Sequence, residues 1–273
     1  MSTTTGVRVS IAGAGGRMGR MLLNLATAHP DLSVVSAFEV AGHPVVGEDV
    51  GTLAGTNPSG VAVTDDAAAA LEAADVVIEF TLPEASLDHM RLAAERGCAV
   101  VLGTTGFSPE QLSDIEGLTK RIALLQASNM SVGVTVLTQV VEDVARRLGS
   151  AFDIELVETH HRKKKDAPSG TALTLAEAAA RGRDADLEKW ATHGRSGIVG
   201  ERPDEEIGIM ALRGGDVVGD HTVYFYGTGE RLELTHRAQS REAFASGALR
   251  AAAWIAGRPA GSYSIRDVLF AAS

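Results

Sequence analysis

The feature that most constrains this chain is a glycine-rich turn set between a short β-branched run and a helical pattern. Val7 to Ile11 reads as a buried strand, and Gly13-Ala14-Gly15-Gly16-Arg17-Met18-Gly19 follows almost at once. A helix is expected over Arg17 to Ala28, with Met18, Met21, Leu22 and Leu25 at helical spacing. Glycines placed this way let backbone approach a pyrophosphate with no Cβ between, and the helix start adds N–H donors and positive partial charge. A second strand, Leu32 to Phe38, leads into Glu39, 20 residues after Gly19. A carboxylate there can accept from both ribose hydroxyls of an adenosine. The glycine turn alone would be a weak signal. Strand, turn, helix, strand and acid at this interval form a specific one.

The first half continues to alternate. Strands are expected at Asp75 to Phe80, Ala99 to Leu102 and Ile122 to Gln126, with helices from about Pro83 to Arg96 and from about Ser108. That order implies a Rossmann-type, doubly wound parallel sheet. Gly103-Thr104-Thr105-Gly106 and Ala127-Ser128-Asn129-Met130 sit at carboxyl ends of strands, where ligands bind in such sheets. The pattern changes after about residue 130. A helix over Val132 to Leu148 leads to an alternating strand, Asp153 to Glu158, and a helix over Thr171 to Arg181. Strand-like runs then follow at Ile207 to Leu212, His221 to Tyr226 and Leu232 to His236, a second domain of α+β type. Arg241 to Ala256 is again helical. The expected division is 1–130 plus 241–273 for the dinucleotide and 131–240 for substrate and oligomerisation.

Formal net charge is −10, which opposes nucleic acid or an anionic membrane as partner. No apolar run reaches the ~18 residues of a membrane span, and Met1 to Gly6 has no signal-peptide pattern. The single cysteine, Cys98, excludes an internal disulfide and a cysteine-cluster metal site; no metal is expected, and a reducing cytoplasm fits.

Against that acidic background, Arg162, Lys163, Lys164 and Lys165 stand in a row, next to His160 and His161. The segment runs on through Asp166, Ala167 and Pro168 to Ser169, a candidate N-cap whose helix begins near Gly170 and Thr171. Two histidines, several cations and a helix N-terminus make a cradle for a small dianion, and His160 and Lys164 are candidates for proton transfer. Near Glu39, the following Val40, Ala41, Gly42 and His43 include no Arg or Lys. A 2′-phosphate would meet a carboxylate there, so NADH is expected over NADPH, with Arg17 the cation that could reverse the preference.

These residues carry a resemblance. Glu158-x-His160-x-x-x-Lys164-x-Asp166-x-Pro168-Ser169-Gly170-Thr171-Ala172 is similar to the signature of the dihydrodipicolinate reductases. The glycine turn, Gly103 to Gly106, Ala127 to Gly133, Arg213 to His221 and Arg241-x-x-Phe244-Ala245 match the same family in order, so the resemblance spans nearly the whole chain. It implies reduction of a cyclic hydroxy-imine dicarboxylate in the diaminopimelate route to lysine, with NADH or NADPH as cofactor. It implies His160 as catalytic acid or base, Lys164 as proton donor, and His161, Gly170 and Thr171 as carboxylate ligands. It implies cofactor contacts from Gly13, Ala14, Gly15, Gly16, Arg17, Met18, Glu39, Gly103, Thr104, Thr105, Ala127, Ser128, Asn129 and Met130. It also implies a homotetramer joined through the second-domain sheets. Two departures are visible: Lys163 replaces a histidine common in the family, and Val40 replaces an arginine.

Two other readings compete. One is a different two-domain dehydrogenase: a semialdehyde type needs a nucleophilic cysteine, and Cys98 precedes a buried strand, while a sugar type would not need the dense cation loop. A dinucleotide-sensing module without catalysis would keep Gly13 to Gly19 and Glu39 but have no use for His160 and Lys164 beside a helix start.

Overall fold

The computed structural model describes residues 6–270; the expectation of a signal-free N-terminal tail falls largely outside them. Two compact units are present, Met1–Ser131 with Glu242–Ser273 and Val132–Arg241.

The first unit runs β1 (Val7–Ala12), α1 (Arg17–Thr27), β2 (Leu32–Phe38), α2 (Val50–Leu53), β3 (Val63–Thr64), α3 (Ala67–Glu72), β4 (Val76–Glu79), α4 (Pro83–Arg96), β5 (Ala99–Leu102), α5 (Pro109–Leu118) and β6 (Ala123–Gln126). The second holds α6 (Val132–Leu148), β7 (Asp153–His160), α7 (Gly170–Gly182), α8 (Leu187–Trp190), β8 (Ala191–Thr192), β9 (Ile207–Arg213), β10 (Gly219–Gly227) and β11 (Glu230–Ala238). The chain then returns to the first unit for α9 (Glu242–Ile255), β12 (Gly261–Tyr263) and α10 (Ile265–Phe270).

The first sheet has the order β12-β6-β5-β4-β1-β2-β3, and every pair in it is parallel. Its central strands are rich in Val, Ile and Leu because helices cover both faces. Ile11, Val76, Ile78 and Val101 pack with α1 and α9 on one side. Val77, Val100, Leu102 and Leu124 pack with α3, α4 and α5 on the other. Helix ends follow local chemistry. Pro83 opens α4 and Gly97 closes it at φ 67°. Ser108 and Gln111 form a capping box on α5. The strand order reverses between β4 and β1, which puts a crevice at the carboxyl end of β1, where the glycine turn lies.

The second sheet is mixed, β11-β10-β7-β9-β8, with β7 parallel to β9 and antiparallel to β10. One face of β7 carries Ile154, Leu156, Glu158 and His160, all buried. Register puts Ile207 and Phe225 beside Ile154, Ile209 and Val223 beside Leu156, and His221 beside Glu158. The apolar rows pack under α6 and α7; the polar rows lie at the carboxyl end of β7. Burying each aliphatic side chain there contributes about 1.5–3 kcal/mol, which holds the polar end in fixed register.

The structure differs from expectation chiefly at β7, which runs two residues beyond Glu158 to His160. Pairing of His160 with Arg213 on β9 extends it, so His160 stands on sheet rather than on a loop. The two- and three-residue strands β3, β8 and β12 are too short to show a period in sequence. Among the described residues no helix is long and apolar enough to cross a membrane.

Candidate active site

In the first unit the glycine turn is shaped by contacts at each position. Gly13 has φ +66°, and a Cβ on Gly19 would stand 2.0 Å from the Gly13 carbonyl oxygen, so the start of α1 lies directly on the turn. A Cβ on Gly15 would meet the His43 ring at 2.3 Å. Helix α1 follows Gly16 as N-cap, with no side-chain cap hydrogen bond and no acid in its first turn. Its first N–H groups therefore stay open to an anion, and exposed Arg17 adds charge beside them. The Gly15 N–H donates to Glu39 Oε2 at 3.0 Å, and the Val40 N–H to Oε1 at 2.9 Å. Glu39 thus sits against the turn with lone pairs to spare.

A cleft of about 450 Å³ is lined by Gly13, Glu39, Val40, Asp65, Thr81 and His89, among others. A smaller cavity of about 140 Å³ brings Met18 together with Ala127, Ser128, Asn129 and Met130, between Phe80 and Phe244. The side chain of Met130 is buried. Gly103 has no side chain because the Phe80 ring fills that space, 2.0 Å from a built Cβ. Thr104 turns inward: its hydroxyl lies 2.7 Å from Ser86 Oγ and donates to Thr81 O at 3.3 Å. Thr105 is exposed. A cradle with uncapped N–H groups, close-packed glycines and an acid at the second strand end fits a dinucleotide.

In the second unit His160 and Glu158 lie two residues apart on the buried face of β7, with His160 Nδ1 2.5 Å from Glu158 Oε2. Arg213 donates to Glu158 from both Nη1 (2.8 Å) and Nη2 (2.9 Å), and the Ser169 N–H donates at 3.1 Å. Burial would push the Glu158 carboxyl up, but the Arg213 fork and then His160 outweigh it and hold it below its ordinary value. Ser169 caps α7 through Ala172 N–H (3.2 Å), and its hydroxyl lies 3.1 Å from His221 Nε2. The His160 and His221 rings meet edge to face at 5.1 Å.

Of the four consecutive cations, Arg162, Lys163 and Lys165 are exposed. Lys164 is half-buried and pairs with Asp166 Oδ2 at 2.8 Å, which holds the Asp166 carboxyl below its usual range. His161 and Thr171 are half-buried and Gly170 is exposed at the first position of α7. The structure therefore gathers His160, Lys164, His161, Gly170 and Thr171 around one strand end and the helix that follows it, with Lys163 outside the packed cluster.

Family comparison agrees with both units. The model described as dihydrodipicolinate reductase, N-terminus, matches residues 7–130, and the one described as dihydrodipicolinate reductase, C-terminus, matches 133–269. This chain belongs to the dihydrodipicolinate reductase family. It is an oxidoreductase of the NAD(P)H-dependent kind. A curated 4-hydroxy-tetrahydrodipicolinate reductase of Anaeromyxobacter sp. strain Fw109-5 is 53% identical over 263 residues, 96% of this chain and 97% of the relative. One of Syntrophobacter fumaroxidans is 49% identical over 263 residues, 96% of this chain and 98% of the relative. A solved dipicolinate-bound dihydrodipicolinate reductase from Paenisporosarcina sp. TG-14 has the same fold, with TM-score 0.74 over 97% of this chain and 100% of that one at 23% identity.

Sequence reasoning missed part of what the reductase places here. Phe80, Thr81, His89 and Phe244 line the first-unit cavities. Behind them the fully buried Glu79 accepts from Thr81 N–H (2.9 Å) and Ser86 Oγ (3.2 Å) and pairs with His89 Nδ1 (2.7 Å). No local motif marks these residues; a buried acid at a strand end is the signal that was available. Arg213 and His221 were visible only as parts of a matching string, because their roles follow from strand pairing across more than fifty residues. Cys98 is buried and its thiol is pushed up to about 12, first by burial and then by Asp75, so the reductase has no cysteine nucleophile there.

Proposed function

We propose that this chain is a 4-hydroxy-tetrahydrodipicolinate reductase, acting on the cyclic hydroxy-imine dicarboxylate of the diaminopimelate route to lysine and forming tetrahydrodipicolinate. The observation that carries this is His160 on the last residue of β7, beside the Ser169-capped start of α7 and the half-buried Lys164. Loss of water from the substrate leaves a conjugated imine, whose reduction takes up one hydride and one proton. Bound NAD(P)H supplies the hydride. His160 and Lys164 hold and deliver the proton. His161 and the N–H groups of Gly170 and Thr171 receive the carboxylates, and the cationic end of the site stabilises charge that develops on the imine.

In the first unit, Gly13, Ala14, Gly15, Gly16, Arg17 and Met18 with Glu39 hold the adenosine and pyrophosphate. Gly103, Thr104 and Thr105 with Ala127, Ser128, Asn129 and Met130 hold the nicotinamide end. NADH is the preferred cofactor: the cleft beside Val40 contributes Glu39 and Asp65, two acids where a 2′-phosphate would need a cation. The working form is a cytoplasmic homotetramer. The open face of the second sheet, with Leu212 and Tyr226 exposed, supports association through that sheet; light scattering after gel filtration reads the mass.

The test couples the purified enzyme to the preceding synthase and follows loss of NADH absorbance. His160→Ala and Lys164→Ala are expected to cut kcat by on the order of 10²-fold or more, with NADH affinity kept. Tight NADH binding without turnover in the unaltered enzyme would instead favour a sensor.

A further inference from the structure

Glu158 is fully buried on the face of β7 that carries His160, and the proposed chemistry gives it nothing to do with substrate. A carboxylate offers about four acceptor positions. Here all are used: Arg213 Nη1 and His160 Nδ1 on Oε2, Arg213 Nη2 and the Ser169 N–H on Oε1. The Arg213 guanidinium is itself fixed, since its Nη2 also donates to the Asp166 carbonyl at 2.6 Å. Arg213 and His160 are register partners on β9 and β7, so the clamp is built into the sheet.

An ionised carboxylate only accepts. His160 Nδ1, at 2.5 Å, must therefore be the donor, which places the ring proton on Nδ1 and leaves Nε2 to exchange a proton. Nε2 faces a glycine: a Cβ on Gly219 would stand 3.0 Å from it. Gly219 is not in the left-handed region, so its missing side chain serves the space before Nε2 and not a turn. His221 lies edge-on to the ring, and its buried imidazole carries no charge near neutrality.

We infer that Glu158, clamped by Arg213, is the positioning residue of the proton-transfer site, fixing the ring orientation and tautomer of His160 so that Nε2 meets the substrate. This rests on the reading of His160 as the group that moves the proton. The same carboxylate anchors Ser169 at the start of α7, tying the ring and the anion cradle to one point.

The test uses histidine-selective ¹⁵N labelling of the full enzyme at neutral pH, with His160 resonances assigned through His160→Gln. The expected spectrum shows a proton held on Nδ1. In Glu158→Gln the amide oxygen still serves Ser169 N–H, but the charge is gone, and the Nε2–H tautomer should appear. With it kcat should fall on the order of 10- to 100-fold, while KM for the dicarboxylate stays within about threefold and the NADH dissociation constant holds. Glu158→Asp should recover part of kcat. An Nε2–H tautomer in the unaltered enzyme overturns the inference, and that measurement stands even if Glu158→Gln fails to fold. So does full kcat in Glu158→Gln when His160→Gln is inactive. Full kcat in His160→Gln would instead remove the underlying reading of His160.

Discussion

Acid should loosen the second unit chiefly through His221, with burial shifting His236 in the same direction, before it reaches the buried carboxylate of the site. His221 lies on β10 opposite Glu158, buried, with Nε2 on Ser169 and Nδ1 without a hydrogen-bond partner among the described residues. Burial, and then the neighbouring His160, push its pKa to about 4 from the ordinary 6.5. The unfolded chain thus binds the extra proton throughout the window from about 6.5 down to 4, and stability falls as pH falls through it. At 1.36 kcal/mol per pH unit, the loss is about 2 kcal/mol by pH 5 and about 3 kcal/mol by pH 4. Glu158 acts lower: its pKa is depressed, so its contribution is full above the ordinary carboxyl range and disappears only as pH falls below it. Native-state hydrogen exchange of β7 and β10 amides, corrected for intrinsic rates, reads the effect between pH 7 and 5. His221→Gln keeps a polar tip near Ser169 and cannot titrate. The unaltered protein should lose about 2 kcal/mol more opening free energy across that window than the variant. Equal pH slopes in the two proteins would refute the reasoning.

Three further outcomes are expected. Val40→Arg should raise kcat/KM for NADPH relative to NADH by about tenfold, the worth of one charge-assisted hydrogen bond to the 2′-phosphate; an unchanged ratio would remove Glu39 and its neighbours as the selectivity site. Gly19→Ala forces a Cβ to 2.0 Å from the Gly13 carbonyl, and should cost about 1–3 kcal/mol in thermal unfolding and weaken NADH binding in titration calorimetry. Cys98, with its thiol pushed up to about 12, should resist a thiol reagent at neutral pH in the native enzyme and react only after denaturation, with Cys98→Ser retaining activity.

Much of the fold was readable because its elements are long or capped. Strands β2 and β5 and helices α4 and α6 stand where apolar period, Pro83, Gly97 and the change of pattern near residue 130 place them. The glycine turn was readable as a motif, yet its detail was not: that His43 fills the space over Gly15 and Phe80 the space over Gly103 depends on residues far away in sequence. In the second unit, His160 and Lys164 stood out as residue types in a dense run. The burial of Glu158 did not, since alternation in Asp153 to Glu158 alone does not say which face α7 covers. Arg213, Gly219 and His221 reach the site only through β9 and β10 pairing, and register between strands so separated is a tertiary fact.

The route of the chain has a consequence for how the enzyme is made. The first unit lacks α9 until residues 242–255 have been synthesised, and α9 supplies Ala245, Ala248, Leu249, Ala252 and Ile255 to its core. Gly247 packs so closely on the Met130 carbonyl that a Cβ there would lie 1.8 Å away. A ribosome therefore releases the whole of Val132–Arg241 while the part of the preceding sheet that α9 covers is still open. Stop codons placed just before Glu242 should yield an insoluble product even though every residue of the inserted unit is present.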